Sequence, residues 1–298
     1  GTLYEGTGGL AVEANVAARA MPRLRGTGCN ITPVLIDSVN AVYQVSDGPA
    51  QITALYEGGY AGGIVAAGQV DDLYAQSPAP GSYLVQSGSA GTWFRLGTKP
   101  VYSITVDAVG QFRSGAAPVA VLDILRQLLV EDAGMPATCI DPLWAVSSDI
   151  APWVGGWYWD GSQSVTGASA VTTLLSGLGL TLMPTRTGTL RPMVLRAPSR
   201  TIQPVARLSA DVITELTEVA LDTSLDPPTW RWRIGWQHNF TVQAAGATLH
   251  PRIAADRQSL IAQADRAAAW WSTDVRGRWR VPNDPALIPT ALARQADA

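Results

Sequence analysis

Hydrophobic and polar residues alternate most regularly across Thr229–Trp236. Trp230, Trp232, Ile234 and Trp236 fall on one side of an extended segment, and Thr229, Arg231, Arg233 and Gly235 on the other. Side chains of a strand point alternately to its two faces, so the pattern predicts a half-buried β-strand with an aromatic face and a cationic face. Further strands are expected at Ala41–Ser46, Ile52–Glu57, Tyr83–Gln86, Trp93–Leu96, Val101–Val106 and Ile213–Leu221. Turns rich in Gly, Pro and Asp separate the early ones. No crossover helices lie between those strands, so antiparallel pairing in a barrel or sandwich is expected.

The period changes near Ser114. Val121, Leu122, Leu125, Leu128 and Leu129 recur at helical spacing within Pro118–Ala133, and Pro118 and Gly134 suit the two ends of a helix. A short helix is expected at Pro142–Ser148 and another at Ala168–Leu178. The aromatic block Trp153–Asp160 reads as extended. Leu180–Pro184 and Thr189–Leu195 predict a hairpin turning around Arg186–Gly188. After a linker at 198–204 and the tryptophan strand, Pro251–Val275 carries Ile253, Leu260, Ile261, Ala264, Ala268 and Trp271 on one stripe, which predicts a long amphipathic helix. Val281–Ala298, with three prolines, is expected to drape over a neighbour as an arm. The fold class is therefore α+β and mainly β. The expected division is a β module, barrel or sandwich, at residues 1–112, an inserted small α+β lobe at 113–198, and a second β module with a long helix and a C-terminal arm at 199–298.

Composition narrows the function classes. Charged residues make up only 15% of the 298, well under the usual quarter, so much of the surface must be neutral or buried in an assembly. A net charge of −3 offers no basic face for nucleic acid. Lys99 is the only lysine, which a bias in base composition explains without functional meaning. No apolar run reaches the roughly 18–20 residues that cross a bilayer, and no basic-then-apolar leader predicts a signal peptide. Cys29 and Cys139 lie far apart and outside any CxxC, so both are expected to be free thiols.

Candidate chemistry is sparse. His238 and His250 are the only histidines; no GxSxG and no HExxH accompanies them, and structural roles are expected for both. Glu215 and Glu218 would face opposite sides of a strand, which is wrong for shared acid–base work. Asp71-Asp72 suits a solvated turn or a helix cap. Gly6-Thr-Gly-Gly9 lacks the spacing and the lysine of a phosphate loop. Trp157 and Trp159 form a candidate glycan-stacking pair, weighed against plain strand packing with Tyr158 on the opposite face. Arg231 and Arg233, backed by tryptophans, are candidates for a cation–π lattice, a pore lining or a subunit interface. No catalytic, cofactor or metal site is assigned. A hydrolase would need Glu215 or Asp160 in a cleft beside another acid.

Several segments together resemble the tail-tip or baseplate hub proteins of long-tailed bacteriophages and the related tail components of gene-transfer agents. They are Asn30-Ile-Thr-Pro-Val-Leu-Ile-Asp37 running into Val42-Tyr-Gln-Val-Ser-Asp-Gly48, Trp93-Phe-Arg-Leu-Gly97, Pro118–Leu129 with Ile140-Asp141, and Val154-Gly-Gly-Trp-Tyr158. Thr187-Gly-Thr-Leu-Arg191, Leu195-Arg-Ala-Pro198 and Arg233–Gln243 complete the set, which is spread over most of 26–280. The resemblance implies a non-enzymatic virion part without cofactors, assembled in the host cytoplasm. It would extend the tail tube with tube-like β-barrel modules, as a homotrimer of pseudo-sixfold symmetry. Its partners would be copies of itself and distal tail, tail-tube, fibre and tip proteins, with DNA or tape-measure protein passing the lumen. The alternative is a carbohydrate- or cell-surface-binding module using the aromatic block 153–159.

Overall fold

The computed structural model describes residues 2–11, 17–112, 116–195, 208–217, 227–244, 248–279 and 283–298. Two sheets dominate its first part. One is antiparallel throughout, in the order β4 (Ala50–Glu57), β8 (Ile104–Gly110), β1 (Arg23–Ile31), β9 (Gly156–Trp159). The other runs β2 (Val34–Asp37), β3 (Val42–Ser46), β7 (Gly91–Leu96), β6 (Ser82–Gly88), β5 (Val65–Gln69), with only β5 and β6 parallel. Leu24, Ile31, Leu55, Ile104 and Val106 of the first sheet meet Val45, Tyr83, Phe94 and Leu96 of the second in one buried core. The opposite face of the second sheet is covered too: Val34, Ile36, Val42, Leu84 and Trp93 pack with Tyr4 and Leu73. Fully burying each such side chain stabilises the fold by about 1.5–3 kcal/mol. The chain is thus α+β and mainly β, as expected. Among the described residues, however, the sheets keep open edges and do not close into a barrel.

β1, a central strand, has no counterpart among the sequence expectations. Leu24 is followed by Gly26 and Gly28 on one face, and Arg23, Arg25 and Thr27 take the other, so no apolar alternation marks it. The glycines serve close approach. Gly26 has φ +70°, and a Cβ there would stand 2.4 Å from the Gly155 carbonyl oxygen; one on Gly156 would stand 1.8 Å from that of Thr27. Only glycine lets β9 lie this close to β1.

The middle of the chain follows its expected pattern. α1 (Val121–Gln127) continues into a π-helical turn, Leu128–Asp132, and α2 spans Trp144–Ile150. α3 (Gly167–Leu175) is capped by Thr166, whose hydroxyl accepts from the Ser169 N–H. β10 (Leu180–Pro184) and β11 (Leu190–Val194) form the expected hairpin. The predicted stripes are buried: Val121, Leu122, Leu125, Leu128 and Leu129 pack with Leu174, Leu175, Leu178 and Trp144.

A charged network fastens this part to the first sheet. Arg25 is only 2% exposed, and its Nη2 and Nε donate to the Asp132 carboxylate at 2.6 and 3.1 Å. Arg23 donates to Asp132 at 2.7 Å and through Nε to Asp47 at 2.8 Å. Gln111 accepts from Arg25 and donates to Asp47 at 2.7 Å. β1, the π-turn, the β3–β4 turn and the end of β8 are joined at one point.

The long helix expected at 251–275 does not form. α4 covers only Ala255–Ile261; Arg266–Trp271 is a strand, β13; α5 is Thr273–Arg278. Contacts distant in sequence end the helix. The Asn239 side chain donates to the carbonyls of Leu260 and Gln263, and the backbone N–H groups of Asn239 and Gln243 donate to those of Ala264 and Ile261. Carbonyls left over at a helix end need such partners, and once they are satisfied the chain leaves extended. β13 then pairs antiparallel with β12 (Arg231–Trp236), setting Trp270 opposite Trp232. Cross-strand aromatic pairing and six residues of ladder override the helix preference of the alanine run. Of the strand expected at Ile213–Leu221, residues 213–217 form none and the rest lies outside the described residues, as does the 198–204 linker.

The expected arm also differs. Its described residues, 283–298, pack on their own chain. Ile288 bridges Ile234 in parallel, Gln237 donates to the Leu292 carbonyl, and Leu292, 2% exposed, completes the core of the middle region.

Two outcomes follow. Asp132→Ala removes the shared partner of both arginines and should cost about 3–5 kcal/mol in urea unfolding, as for one partner removed from a buried ion pair; a loss below about 1 kcal/mol would place the network with exposed pairs. Leu292→Ala should cost about 2–5 kcal/mol, independently of protein concentration. A loss that vanishes on dilution would return the arm to a neighbouring molecule.

Candidate interaction surface and cavities

The tryptophan strand lies between the C-terminal arm and β13. Arg231, Arg233 and Gly235 share one face with Trp271, Ala269 and Ala267; Trp232, Ile234 and Trp236 share the other with Trp270, Ala268 and Arg266. Arg231 grips Asp284 of the arm through two donors, at 2.6 and 3.1 Å. Arg233 donates to the Pro285 carbonyl at 2.7 Å and approaches Asp284 at 3.4 Å. The hydrogen bonds from Arg231 hold the Asp284 carboxyl below the usual carboxylate range. Both candidate arginines thus have partners within the chain. Trp230 is flanked by the guanidinium groups of Arg231 and Arg276, 5.0 and 4.7 Å from its ring centre, and Arg266 lies 5.0 Å from that of Trp236. Of the two arginines considered from the sequence only Arg231 makes such a cation–π contact; Arg266 and Arg276 supply the others.

The aromatic face is open at one end only. Trp270 and, opposite it, Trp232 are 63% and 39% exposed, whereas Ile234 and Trp236 pack against the core of the middle region; Trp271, on the cationic face, is 58% exposed. β13 pairs only with β12 among the described residues, so its outer edge presents unpaired backbone groups.

Trp157 and Trp159 do not make one platform. They share a face of β9, with Tyr158 on the other, but serve different neighbours. Trp157 packs against the core of the middle region. The Trp159 indole N–H donates to the Gln163 carbonyl at 2.8 Å. Each borders its own cavity. One, of about 500 Å³, is lined by Trp159 with Arg19, Thr32, Leu35 and Asp160. The other, of about 330 Å³, is lined by Trp157 with Thr172, Thr173, Ser176, His238 and Thr290. Tyr158 and Phe240, edge to face at 5.5 Å, border both.

Of the two histidines, His250 is held within the fold. It stacks on Tyr60 at 4.6 Å and accepts through Nδ1 from the Arg252 N–H. His238 is more open. Its Nδ1 lies 3.0 Å from Asp265 Oδ1, its side chain is 40% exposed, and it forms part of the smaller cavity's wall. This pair was not legible in the sequence, because Asp265 stood inside the expected helix, away from its apolar stripe. Asp160 accepts from Ser162 and pairs with Arg19 at 3.7 Å, not with a second acid. Glu215 accepts from Thr217 on an exposed segment, and Glu218 lies outside the described residues. Asp72 caps a turn by accepting from the Tyr74 N–H. Cys29 and Cys139 are free thiols. Among the described residues no group of three or more His, Cys, Asp or Glu side chains is placed to hold a metal, and no helix is long and apolar enough to cross a membrane.

Comparison of the chain with protein-family models, with curated proteins and with solved structures finds no match.

Proposed function

We propose that this chain is a structural building block that assembles with copies of itself, as a hub at the tip or baseplate of a phage-type tail. The observation that carries the reading is β13. Natural edge strands are guarded by lysine, proline, bulges or covering loops. Ala267-Ala-Ala-Trp-Trp271 has none of these among the described residues; Trp270 stands in solvent beside Trp232, and Trp271 stands in solvent on the opposite face beside Arg231. Exposed aromatic groups flanking an unpaired strand edge suit an obligate interface, whose centre is apolar and aromatic. The resemblance of the dispersed segments to tail hub proteins supplies the assignment to a tail.

The tube-like β-barrel of that reading belongs to the assembly and not to the single chain. β2, β4 and β5 each have one open side among the described residues, and Val65 on β5 is 67% exposed. Pairing such edges between subunits closes a ring and removes them from water. On this reading three copies surround a lumen that passes DNA or tape-measure protein, and outer surfaces hold tail-tube, fibre and tip proteins.

Sedimentation velocity over a concentration series tests the proposal. A closed trimer is expected, and Trp270→Ser combined with Trp271→Ser should shift the population to monomer while leaving the circular dichroism spectrum unchanged. A wild-type chain that stays monomeric at its highest soluble concentration, with or without tail-tube protein, sinks it.

A further inference from the structure

We propose that the smaller cavity, beside Trp157, His238 and Phe240, binds one pyranose ring of a neutral oligosaccharide. The site is distinct from a Trp157–Trp159 platform and does not depend on the assembly reading. At about 330 Å³ its volume lies at the lower end of the range for small-molecule pockets, room for a sugar ring and little more.

The walls select the ligand class. Trp157, Tyr158 and Phe240 offer aromatic surface, on which the apolar face of a pyranose stacks. α3 and the residues just past its end contribute the hydroxyls of Thr172, Thr173 and Ser176, all on exposed residues. The Thr172 hydroxyl donates to the Ala168 carbonyl, which leaves its lone pairs free to accept. Asp265, whose side chain is 7% exposed, engages Nδ1 of His238. That contact fixes the ring's orientation and, when the imidazole is neutral, leaves Nε2 as an acceptor for a sugar hydroxyl. Acceptors and donors set around an aromatic wall match a polyhydroxylated ring.

The same walls reject the other stacking ligands. No Lys, Arg, Asp or Glu lines the cavity, so a nucleotide would bring its phosphate to a site without a cation. A peptide adding along β9 would meet the arm, because Gly156 donates to the Ala291 carbonyl and Leu292 bridges Gly155. The larger cavity differs: Arg19 and Asp160 stand on its rim, and it has no imidazole.

Saturation-transfer NMR on the full chain, with chitotetraose, cellotetraose and maltotetraose as separate probes, is the test. Transfer to the ring protons of at least one is expected. His238→Ala should weaken that binding about tenfold, as loss of one good hydrogen bond does. Trp157→Phe, which keeps an aromatic ring, should weaken it less than Trp157→Ala. Trp159→Ala should leave it unchanged. Since Trp157 also packs against a core, His238→Ala carries the decision if Trp157→Ala fails to fold. No transfer from any probe, transfer indifferent to His238→Ala, or equal loss in Trp159→Ala overturns the site. So does preferential binding of an oligothymidine strand or an extended peptide that is lost in His238→Ala. Sedimentation of His238→Ala should match the wild type, which separates failure of this site from failure of assembly.

Discussion

Arg25 and Asp132 meet where the sheets and the helices of the middle region have to be held in one relation. An arginine that is almost fully buried is costly unless every donor finds an acceptor. Here Asp132 takes two of its bonds and Gln111 another, while Arg23 shares the same carboxylate and reaches Asp47. The network fixes where the π-turn stands against β1, and so where α1 packs. β9 can then run beside β1 at glycine distance, and the C-terminal arm can insert Leu292 into the core behind it. An apolar contact at this point would tolerate sliding. A fork of hydrogen bonds to one carboxylate does not.

What the sequence disclosed follows from how local each signal is. The leucine stripe of α1, the helix α3, the hairpin around Gly188 and the strands β3, β6 and β7 of the second sheet are set by residues a few positions apart, and all of them form; β2 and β5 of that sheet were not expected. β1 hides because its inward positions are glycines and its other face carries arginines; its ladder partners in β8, and Asp132, lie far along the chain. The segment 251–275 misleads for the same reason. Alanine and leucine at helical spacing favour a helix, yet Asn239 satisfies the carbonyls past α4 and β12 offers a ladder. The aromatic block announced its strand and its two faces, but not that Trp157 and Trp159 would border separate cavities. Phe240 and His238 were visible only as residues following a strand; their meeting with Tyr158 and Asp265 is a product of the whole fold.

Arg231 and Arg233 show how one pattern can be right in form and different in use. The strand has the two faces its alternation announced. Burial, however, is divided along the strand. Ile234 and Trp236 pack against the core of the middle region, while Trp232 at the other end of the same face is left in solvent with Trp270. On the cationic face Asp284 of the arm is pinned by Arg231, so charge that an outer surface would present is paired within the chain.

The scarcity of charge then acquires a consequence. Many of the ionised groups are spent on internal pairs: Arg23 and Arg25 with Asp47 and Asp132, Arg231 and Arg233 with Asp284, Arg19 with Asp160, Arg294 with Asp297. What remains for the exterior is a sparse scatter of charges, Lys99, Asp149, Arg186 and Arg278 among them, with indole, hydroxyl and backbone edge between. Such a surface attracts partners by apolar contact and hydrogen bonding and gains little from long-range steering. A copy of the same chain presents complementary strand edges and aromatic faces, and a neutral sugar presents an apolar ring face with hydroxyls. Both kinds of recognition use the neutral groups that lie between the few exposed charges, and neither depends on a charged contact.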